Sequence, residues 1–342
     1  MNDLPLVSVV IVTWNSARYL SCCLDALAAQ VCKDFEVLLI DNGSTDGCLD
    51  EVEHRWPALK LRVERLGANK GFAAANNLGA RLARGKWLAL LNPDAFPEPD
   101  WLKELLGAAA KNPDFSFFAS RQLQANASHL LDGAGDAFHI SGLAWRRFAG
   151  WPAAQFGLKT EEVFSPCAAS ALYSLQAFLQ LGGFDEDFFS YHEDVDLGFR
   201  LRLRGFRCLY VPEAIVHHIG SAALGAQSDF ALYHWQRNTI WSFVQDMPSA
   251  LLWKALPAHL LANLIYILKY ILLGRGRVLL RAKMDALRGL PLAIRKRREI
   301  QKNRKCSHVD LLRIMEHGPL QPYLLGYHMR KIRRTIPTTR PE

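Results

Sequence analysis

The stretch Leu6–Thr13, LVSVVIVT, consists almost entirely of β-branched and apolar residues, which predicts a strand buried on both faces of a parallel sheet. Phe35–Ile40 (FEVLLI) and Lys86–Leu91 (KWLALL) have the same character. Between these strands, the spacing of apolar residues predicts helices over Ala17–Gln30 and Ala73–Ala83. Strands alternating with helices indicate an α/β fold with an open, mostly parallel sheet flanked by helices.

Polar residues follow each of these strands, at Thr13–Asn15, Asp41–Asp46 and Asn92–Asp94. In open α/β sheets, ligands bind beyond the carboxyl ends of the strands. The chain has neither a G-x-G-x-x-G nor a G-x-x-x-x-G-K-[ST] motif, which disfavours dehydrogenases and NTPases. The strand ends therefore predict a ligand site built from hydroxyl, amide and carboxylate groups.

Asn92-Pro93-Asp94 is a candidate metal site, because a carboxylate at a strand end can hold Mg²⁺ or Mn²⁺ and bridge to a diphosphate. The same tripeptide is also an ordinary turn. Asp41–Asp46 can likewise serve as a turn and helix cap. His217 and His218 are either metal ligands or loop histidines. The residues alone leave these alternatives open.

Gly182–Tyr210, GGFDEDFFSYHEDVDLGFRLRLRGFRCLY, mixes carboxylates with aromatic residues and then becomes an Arg-rich helical pattern. Its carboxylates are Asp185, Glu186, Asp187, Glu193, Asp194 and Asp196. In partly dry surroundings, such groups can act as a base or hold a cation. Alternatively, they are the acidic first turn of a helix, which suits the positive end of the helix dipole.

Two further segments lie around this stretch. Gln122–Val163 is rich in Gly, Trp and Arg and lacks periodicity, so we expect a long irregular insertion that forms a functional loop. Arg207–Val211 predicts one more strand, ended by Pro212.

The composition suits a protein of the reducing cytoplasm. The seven cysteines are scattered and form no C-x-x-C motif, which argues against a disulfide framework or a zinc site. The first residues, MNDLPLVSVVIVTWN, lack a basic region and a small-residue cleavage site, so they predict a first strand rather than a signal peptide. Half of the residues are hydrophobic, enough for a sizeable core.

The C-terminal part is apolar and then basic. Leu251–Leu273 is apolar, but its longest uncharged stretch, Ala255–Leu268, is shorter than the roughly 20 residues of a membrane span. Arg275–Lys305 carries a net charge of +10, which leaves −2 for the rest of the chain because the total is +8. We therefore expect helices in a membrane interface with anionic lipids. The alternative is a helical subdomain packed on the main body.

These features divide the chain into residues 1–228 as an α/β domain, 229–306 as an apolar and then basic helical region, and 307–342 as a tail. A nucleic-acid-binding protein would also need basic residues interleaved with exposed aromatic residues on the body. The charge of −2 outside the basic run disfavours that class.

Six motifs occur in order between Leu6 and Leu224: VSVVIVTWNSARYL, VLLIDNGSTDG, NKGFAAANNLG, ALLNPDA, GGFDEDFFSYHEDVDLGFRLRLRG and VHHIGS. Together they resemble family 2 glycosyltransferases, inverting enzymes with the GT-A fold. Within that family, the sequence is most similar to the bacterial rhamnosyltransferases that extend lipid-linked cell-surface glycans. The resemblance implies a GT-A-type sheet with a C-terminal, membrane-associating helical appendage.

The resemblance also implies substrates and a location. The donor would be dTDP-rhamnose, the acceptor a lipid-linked saccharide of cell-envelope polysaccharide synthesis, and the cofactor Mg²⁺ or Mn²⁺. The protein would bind an anionic membrane surface peripherally, on the cytoplasmic face of the cell membrane, and would not bind nucleic acid. A transfer from a UDP-hexose, or a transfer to a polyprenyl phosphate, is the alternative within the same fold.

Site residues follow from the same resemblance. Asp194 would be the base that removes the acceptor's proton in a single displacement, with Glu193 beside it. Asp94 would ligate the metal, with His218 completing the shell and His217 as its competitor. Asn92 stands where many members have the first carboxylate of Asp-x-Asp. Donor-binding residues would be Thr13, Asn15, Asp41, Asn42, Asn69, Gly71, Asn76, Asn92 and Asp94. Acceptor-binding residues would be Asp185, Glu186 and Trp145, while Asp196 is expected to pair with Arg200.

Overall fold

A mixed sheet of ten strands forms the centre of the computed structural model, which describes residues 4–50, 52–220 and 228–318. The strands are β1 (Val7–Thr13), β2 (Phe35–Asp41), β3 (Leu61–Arg65), β4 (Trp87–Leu91), β5 (Ala95–Pro97), β6 (Phe117–Gln124), β7 (Ala127–Ala134), β8 (Asp136–Phe138), β9 (Ala144–Arg146), β10 (Glu161–Val163), β11 (Ser170–Ser174) and β12 (Cys208–His218). The helices are α1 (Leu20–Ala28), α2 (Val52–Arg55), α3 (Phe72–Leu82), α4 (Trp101–Lys111), α5 (Leu175–Gln180), α6 (Glu193–Leu203), α7 (Asp229–Asp246), α8 (Ser249–Leu272), α9 (Gly276–Arg288), α10 (Leu290–Lys302) and α11 (His308–Ile314).

The sheet has the order β10-β12-β6-β11-β4-β1-β2-β3, with β5 paired to β12 and β7 to β6. Strands β1 to β4 are mutually parallel where they pair, as the alternation of strands and helices predicts. Strand β11 runs antiparallel to both of its neighbours. The register pairs Thr13 with Asp41, so the polar ends of β1 and β2 lie side by side. The predicted open, mostly parallel sheet is confirmed.

Strand β1 shows why the sheet is buried on both faces. Val7, Val9 and Ile11 point to a core that includes α1 and α4, whereas Val10 and Val12 point to a core that includes α3, α5 and α6. Side chains alternate between the two faces of a strand, so an unbroken apolar run can fill both cores.

The insertion Gln122–Val163 is not irregular, so that prediction was wrong. It contains the end of β6 and all of β7 to β10. Strands β8 and β9 form a separate two-stranded hairpin, in which Asp136 pairs with Arg146. Strands β8 and β9 are only three residues long, and β7 has exposed residues near its start. These strands therefore give no alternating pattern in the sequence.

Strand β12 also continues beyond its predicted end at Pro212, as far as His218. A bulge between Val211 and Ile215 accommodates Pro212, because a bulged residue does not need to donate a ladder hydrogen bond. His217 and His218 therefore lie on a strand, paired with β5 and β6, and they are not loop histidines.

The C-terminal helices share a core with the α/β body. Phe138, Phe164 and Phe199 of the body pack in one cluster with Phe243 of α7 and Leu251 of α8. Within the described residues, α8 is also one helix that is long and apolar enough to cross a membrane by length and composition alone. Residues Leu311 and Met315, in the predicted tail, are buried in the same cluster. Residues 319–342 of that tail and Ser221 of the VHHIGS motif lie outside the described part of the chain.

Candidate active site

Two cavities meet at the carboxyl ends of the strands. The strand-end cavity, of about 370 Å³, is lined by Asn15, Asn42, Asn69 and Asp94 together with aromatic residues. The carboxylate cavity, of about 300 Å³, is lined by acidic, basic and aromatic side chains that include Asp136, Trp145, Arg146, Glu193, Asp194 and His218. Phe72, Asn92, Ser190 and Tyr191 line both cavities, so the wall between the two is thin.

Side-chain hydrogen bonds fold the loop after β2 onto the end of β1. Asn15 accepts a hydrogen bond from the backbone N–H of Thr45 at 2.9 Å, and its own N–H donates to Ser44 Oγ at 3.1 Å. Asp41 Oδ1 accepts from the N–H of Ser44 at 2.9 Å. Asn15 lines the strand-end cavity, whereas buried Asp41 supports the loop behind it.

A pair of asparagines builds the next part of this wall. Asn42 Nδ2 donates to Asn69 Oδ1 at 3.0 Å, and Asn42 Oδ1 accepts from the N–H of Lys70 at 2.8 Å. Gly71 follows with φ +90°, and a Cβ there would come within 2.7 Å of the Phe189 ring. A glycine is therefore required where the start of α3 approaches the loop before α6.

Besides Asp41 and Gly71, two more predicted donor-binding residues line neither cavity. Thr13 is fully buried and contacts Cys48 Sγ at 3.7 Å. Asn76 is also buried, and its Nδ2 donates to the carbonyl of Phe72 within α3. Thr13 therefore contacts a neighbouring side chain and Asn76 the backbone of its own helix, and their predicted contact with the donor stays a prediction.

Asp94 and His218 come together from different strands. His218 Nε2 lies 3.4 Å from Asp94 Oδ1, and its Nδ1 lies 2.8 Å from Asp132 Oδ2. Burial lowers the pKa of His218, but the contacts with Asp132 and Asp94 outweigh this effect and raise it overall. His217, on the opposite face of β12, contacts Glu98 at 3.2 Å. Of the two histidines, only His218 faces Asp94.

The carboxylate cavity surrounds the start of α6. Asp194 Oδ2 accepts from the N–H of Ala168 at 3.1 Å, and Oδ1 accepts from the N–H of Val195 at 2.9 Å. Burial raises the pKa of Asp194, while the Ala168 N–H and the charge of Arg146 oppose the rise. Among the described residues, no hydrogen-bond partner is found for the buried Glu193 Oε2. Burial and the charge of Asp194 raise the pKa of Glu193 well above its ordinary value.

Sequence reasoning missed three residues of this site, Asp132, Asp136 and Arg146, all in the insertion. Buried Asp136 lines the carboxylate cavity, and burial together with the charge of Asp194 raises its pKa. Arg146 forms an ion pair with Asp132, which links it to His218. The repeated acids in Asp132-Gly133-Ala134-Gly135-Asp136 were the only available signal.

The remaining predicted residues separate into two groups. Trp145 lines the carboxylate cavity, and its binding of the acceptor stays a prediction. Asp185 and Glu186 line neither cavity, because Asp185 pairs with Lys296 at 2.5 Å and Glu186 accepts from Asn77 at 3.0 Å. Both residues line a separate cavity instead, and their contact with the acceptor stays a prediction. The predicted pair is confirmed, since Arg200 Nε donates to Asp196 Oδ2 at 2.8 Å.

Three comparisons relate this chain to known proteins. Residues 8–179 match the family model described as glycosyl transferase family 2. An N-acetylglucosaminyl-diphospho-decaprenol L-rhamnosyltransferase of Mycobacterium tuberculosis is 33% identical over an alignment of 242 residues, and the match covers 62% of this chain and 76% of that protein.

Two solved structures show the fold. The structure of GalNAc-T7 with UDP, GalNAc and Mn²⁺ aligns with a TM-score of 0.58 at 19% identity, over 72% of this chain and 48% of that one. A mannosyltransferase from Pyrobaculum calidifontis, in complex with GDP-Man and Mn²⁺, aligns with a TM-score of 0.54 at 17% identity, over 87% and 86%. Because the family model covers half of the chain, the protein belongs to glycosyl transferase family 2 and is an inverting glycosyltransferase with the GT-A fold.

Proposed function

We propose that this protein transfers rhamnose from dTDP-rhamnose to a lipid-linked glycan acceptor in cell-envelope polysaccharide synthesis. The observation that carries the proposal is the meeting of the two cavities: Asp94 lines the strand-end cavity, Asp194 and His218 line the carboxylate cavity, and His218 Nε2 lies 3.4 Å from Asp94 Oδ1. A donor and an acceptor bound in them would meet beside Tyr191. The name of the mycobacterial relative, at 33% identity, supports rhamnose as the sugar and a polyprenyl-diphosphate-linked saccharide as the acceptor.

The strand-end cavity suits the nucleoside end of the donor. Its polar lining consists largely of the side-chain amides of Asn15, Asn42 and Asn69, and Trp14 and Tyr19 add aromatic surface. Amide groups can both donate to and accept from a pyrimidine base and a ribose. The loop hydrogen bonds described above hold these amides in place before the donor binds.

Asp94 and His218 fit the expected divalent metal. His218 Nε2 is buried, points at Asp94, and has no hydrogen bond that satisfies it among the described residues. Within that part of the chain, no group of three or more His, Cys, Asp or Glu side chains could hold a metal ion alone. We therefore propose that Mg²⁺ or Mn²⁺ binds together with the donor, whose diphosphate supplies further oxygen ligands. When bound, the metal would neutralise the charge that develops on the leaving nucleoside diphosphate.

Asp194 is proposed as the base. An acceptor hydroxyl attacks the anomeric carbon, the bond from that carbon to the diphosphate oxygen breaks, and the hydroxyl proton passes to Asp194. The raised pKa of Asp194 increases its basicity in the ionised form. Glu193, next to it, would hold the acceptor hydroxyl, and Trp145 would provide a flat apolar face for an acceptor sugar.

The outer face of α8 supports a location at a membrane surface. Leu251, Ala255, His259 and Ala262 are buried against the body. The opposite face exposes large apolar side chains, namely Trp253, Leu260, Leu261, Leu264, Leu268, Ile271 and Leu272. A helix packed on the protein along one side cannot cross a bilayer on its own, but it can lie in the interface with these apolar side chains in the lipid.

Helix α9 continues this surface with a mixture of charges and apolar groups. Arg277, Leu280, Arg281, Met284, Leu287 and Arg288 are exposed at helical spacing along one face. Long Arg side chains can reach anionic head groups while the neighbouring Leu and Met enter the apolar layer. We propose peripheral binding to the cytoplasmic face of the cell membrane through α8 and α9.

A panel of nucleotide-sugars tests the proposed function. The protein is incubated with dTDP-rhamnose, UDP-glucose or GDP-mannose and a polyprenyl-diphosphate-linked N-acetylglucosamine, with MnCl₂, with MgCl₂ or with EDTA. Rhamnose transfer with inversion at the anomeric carbon, lost in EDTA, is the expected result. Transfer from UDP-glucose without transfer from dTDP-rhamnose would overturn the donor assignment, and full activity in EDTA would overturn the metal site.

A further inference from the structure

The loop Phe189–His192 holds an unusual backbone conformation directly before the proposed base. Phe189, Tyr191 and His192 have φ values of 65°, 67° and 74°, in the left-handed region that non-glycine residues rarely adopt. Ser190 and Tyr191 of the same loop line both cavities. Such a conformation persists only where surrounding contacts determine it. Contacts from other parts of the protein must therefore hold this loop.

The side chain of Asn238 on α7 supplies the central contact. Its Nδ2 lies 3.0 Å from the carbonyl oxygen of Phe188, 3.1 Å from that of Ser190 and 2.7 Å from that of Tyr191. Its Oδ1 accepts from Arg237 Nε at 2.9 Å, which fixes the orientation of the amide. Asn238 is fully buried. One amide nitrogen, with its two N–H groups, thus lies within hydrogen-bond distance of three carbonyls in the loop region that it holds.

Neighbouring residues of the same helix extend this contact. Arg237 Nη2 donates to the carbonyl of Phe188 at 2.9 Å, and Ser242 Oγ lies 2.9 Å from His192 Nε2. Gln245 Nε2 donates to Asp196 Oδ1 at 2.5 Å, one turn into α6. Asn238, Ser242 and Gln245 are spaced by four and three residues, so they lie on one face of α7. That buried polar face holds both the loop and the first turn of α6.

We propose that Asn238 is a positioning residue for the transfer reaction. By donating to the carbonyls of Ser190 and Tyr191, it fixes the wall between the two cavities and the direction in which α6 presents Asp194. This inference rests on the proposed role of Asp194 as the base. Asn238 lines neither cavity, so it acts through the loop and touches neither substrate.

The Asn238→Asp variant tests the proposal, because a carboxylate of nearly the same shape cannot donate to three carbonyls. We expect kcat to fall by at least about tenfold while the Kd for the donor nucleotide changes by less than about threefold. Amide hydrogen exchange, followed by mass spectrometry, should become faster in residues 188–193 and stay unchanged in β1 and β2. The Asn303→Asp variant makes the same substitution at an exposed residue and should change neither quantity.

The Asn238→Ser variant keeps a donor in a smaller side chain and should recover part of kcat relative to Asn238→Asp. A kcat within about twofold of the wild type in Asn238→Asp would overturn the proposal, as would a parallel loss of donor affinity and kcat. If both variants lose a cooperative melting transition, Asn238 stabilises the core instead of positioning the loop for catalysis, and the proposal is overturned. Amide hydrogen exchange in residues 188–193 can be measured without a donor. Failure of the wild-type protein to transfer rhamnose would therefore refute the proposed function and leave the exchange test of Asn238 intact.

Discussion

Replacing Asp194 by asparagine removes the proposed base with almost no change of volume. General-base catalysis typically contributes a factor of about 10² to 10⁴, so kcat should fall by that amount, equivalent to about 2.7 to 5.4 kcal/mol of activation free energy. Asp194 lines only the carboxylate cavity, so donor affinity should stay within about threefold of the wild type. Rhamnose transfer and calorimetric titration with dTDP measure the two quantities.

The same variant has a second, independent signature in stability. Folding raises the pKa of Asp194, so the ionised carboxylate is less stable in the fold than in the unfolded chain at high pH. That penalty grows as the pH rises past the unfolded value of about 3.9 and is absent well below it. Asparagine avoids the penalty but has one acceptor oxygen for the N–H groups of Ala168 and Val195, which costs about 1–3 kcal/mol.

The two effects can be separated, because only the first depends on pH. Between pH 4 and pH 8, the melting temperature of the Asp194→Asn variant should rise relative to the wild type. Asp100→Asn, at an exposed carboxylate outside both cavities, serves as the matched control and should change neither kcat nor this difference. Near-normal kcat in Asp194→Asn would refute its assignment as the base, and a pH-independent difference in melting temperature would refute the raised pKa.

Three further predictions concern the metal site, the membrane surface and the helical region. Asp132→Asn removes the carboxylate that faces His218 Nδ1, so Mn²⁺ affinity in the presence of dTDP, measured by electron paramagnetic resonance, should fall by about 10–100-fold. Replacing both Leu264 and Leu268 by glutamate should weaken binding to anionic vesicles by at least about tenfold in sedimentation assays and leave donor affinity unchanged. Burial lowers the pKa of Lys283 to about 7, so the contribution of this residue to the free energy of unfolding should increase from pH 6 to pH 9. Lys283→Met removes this contribution, so the melting temperature of the wild type relative to this variant should rise over the same range.

Each of these predictions has a matched comparison. His217→Ala removes the histidine that faces Glu98 and should leave Mn²⁺ affinity unchanged; a loss equal to that of Asp132→Asn would contradict the metal assignment. Leu158→Glu places a charge on an exposed leucine outside α8 and α9, and equal loss of vesicle binding there would exclude a specific surface. A difference in melting temperature between the wild type and Lys283→Met that does not change from pH 6 to pH 9 would contradict the lowered pKa of Lys283.

The sequence predicted those parts of the fold that depend on residues close to one another in the chain. The apolar run of β1 specifies a strand with two buried faces, and helical spacing specifies α1 and α3. The proposed positions of Asp94 and Asp194 came from the family resemblance, and the structure brings them to two cavities that share a wall. Their chemical roles stay predictions.

The parts that escaped prediction depend on distant partners. Asp185 looked like a site residue because Lys296, its partner in the fold, is far away in the chain. His218 reaches Asp94 only because a bulge carries β12 past Pro212, which the local sequence marks as a strand end. The buried face of α7 was missed because its polar residues, such as Asn238, do not look like core residues when their partners are unknown.

The contacts from α7 to the loop before α6 also have a consequence for biosynthesis. The ribosome releases Asp94, Asp194 and His218 before it releases Asn238, so all the proposed catalytic and metal-binding residues emerge before the helix that holds the loop. Domains fold as their residues emerge, beginning at the N-terminus. The nascent chain can therefore place Asn15, Asn42 and Asn69 early but cannot complete either cavity until α7 has docked, because the loop that α7 holds lines both. Activity should therefore appear only after α7 has emerged from the ribosome and docked.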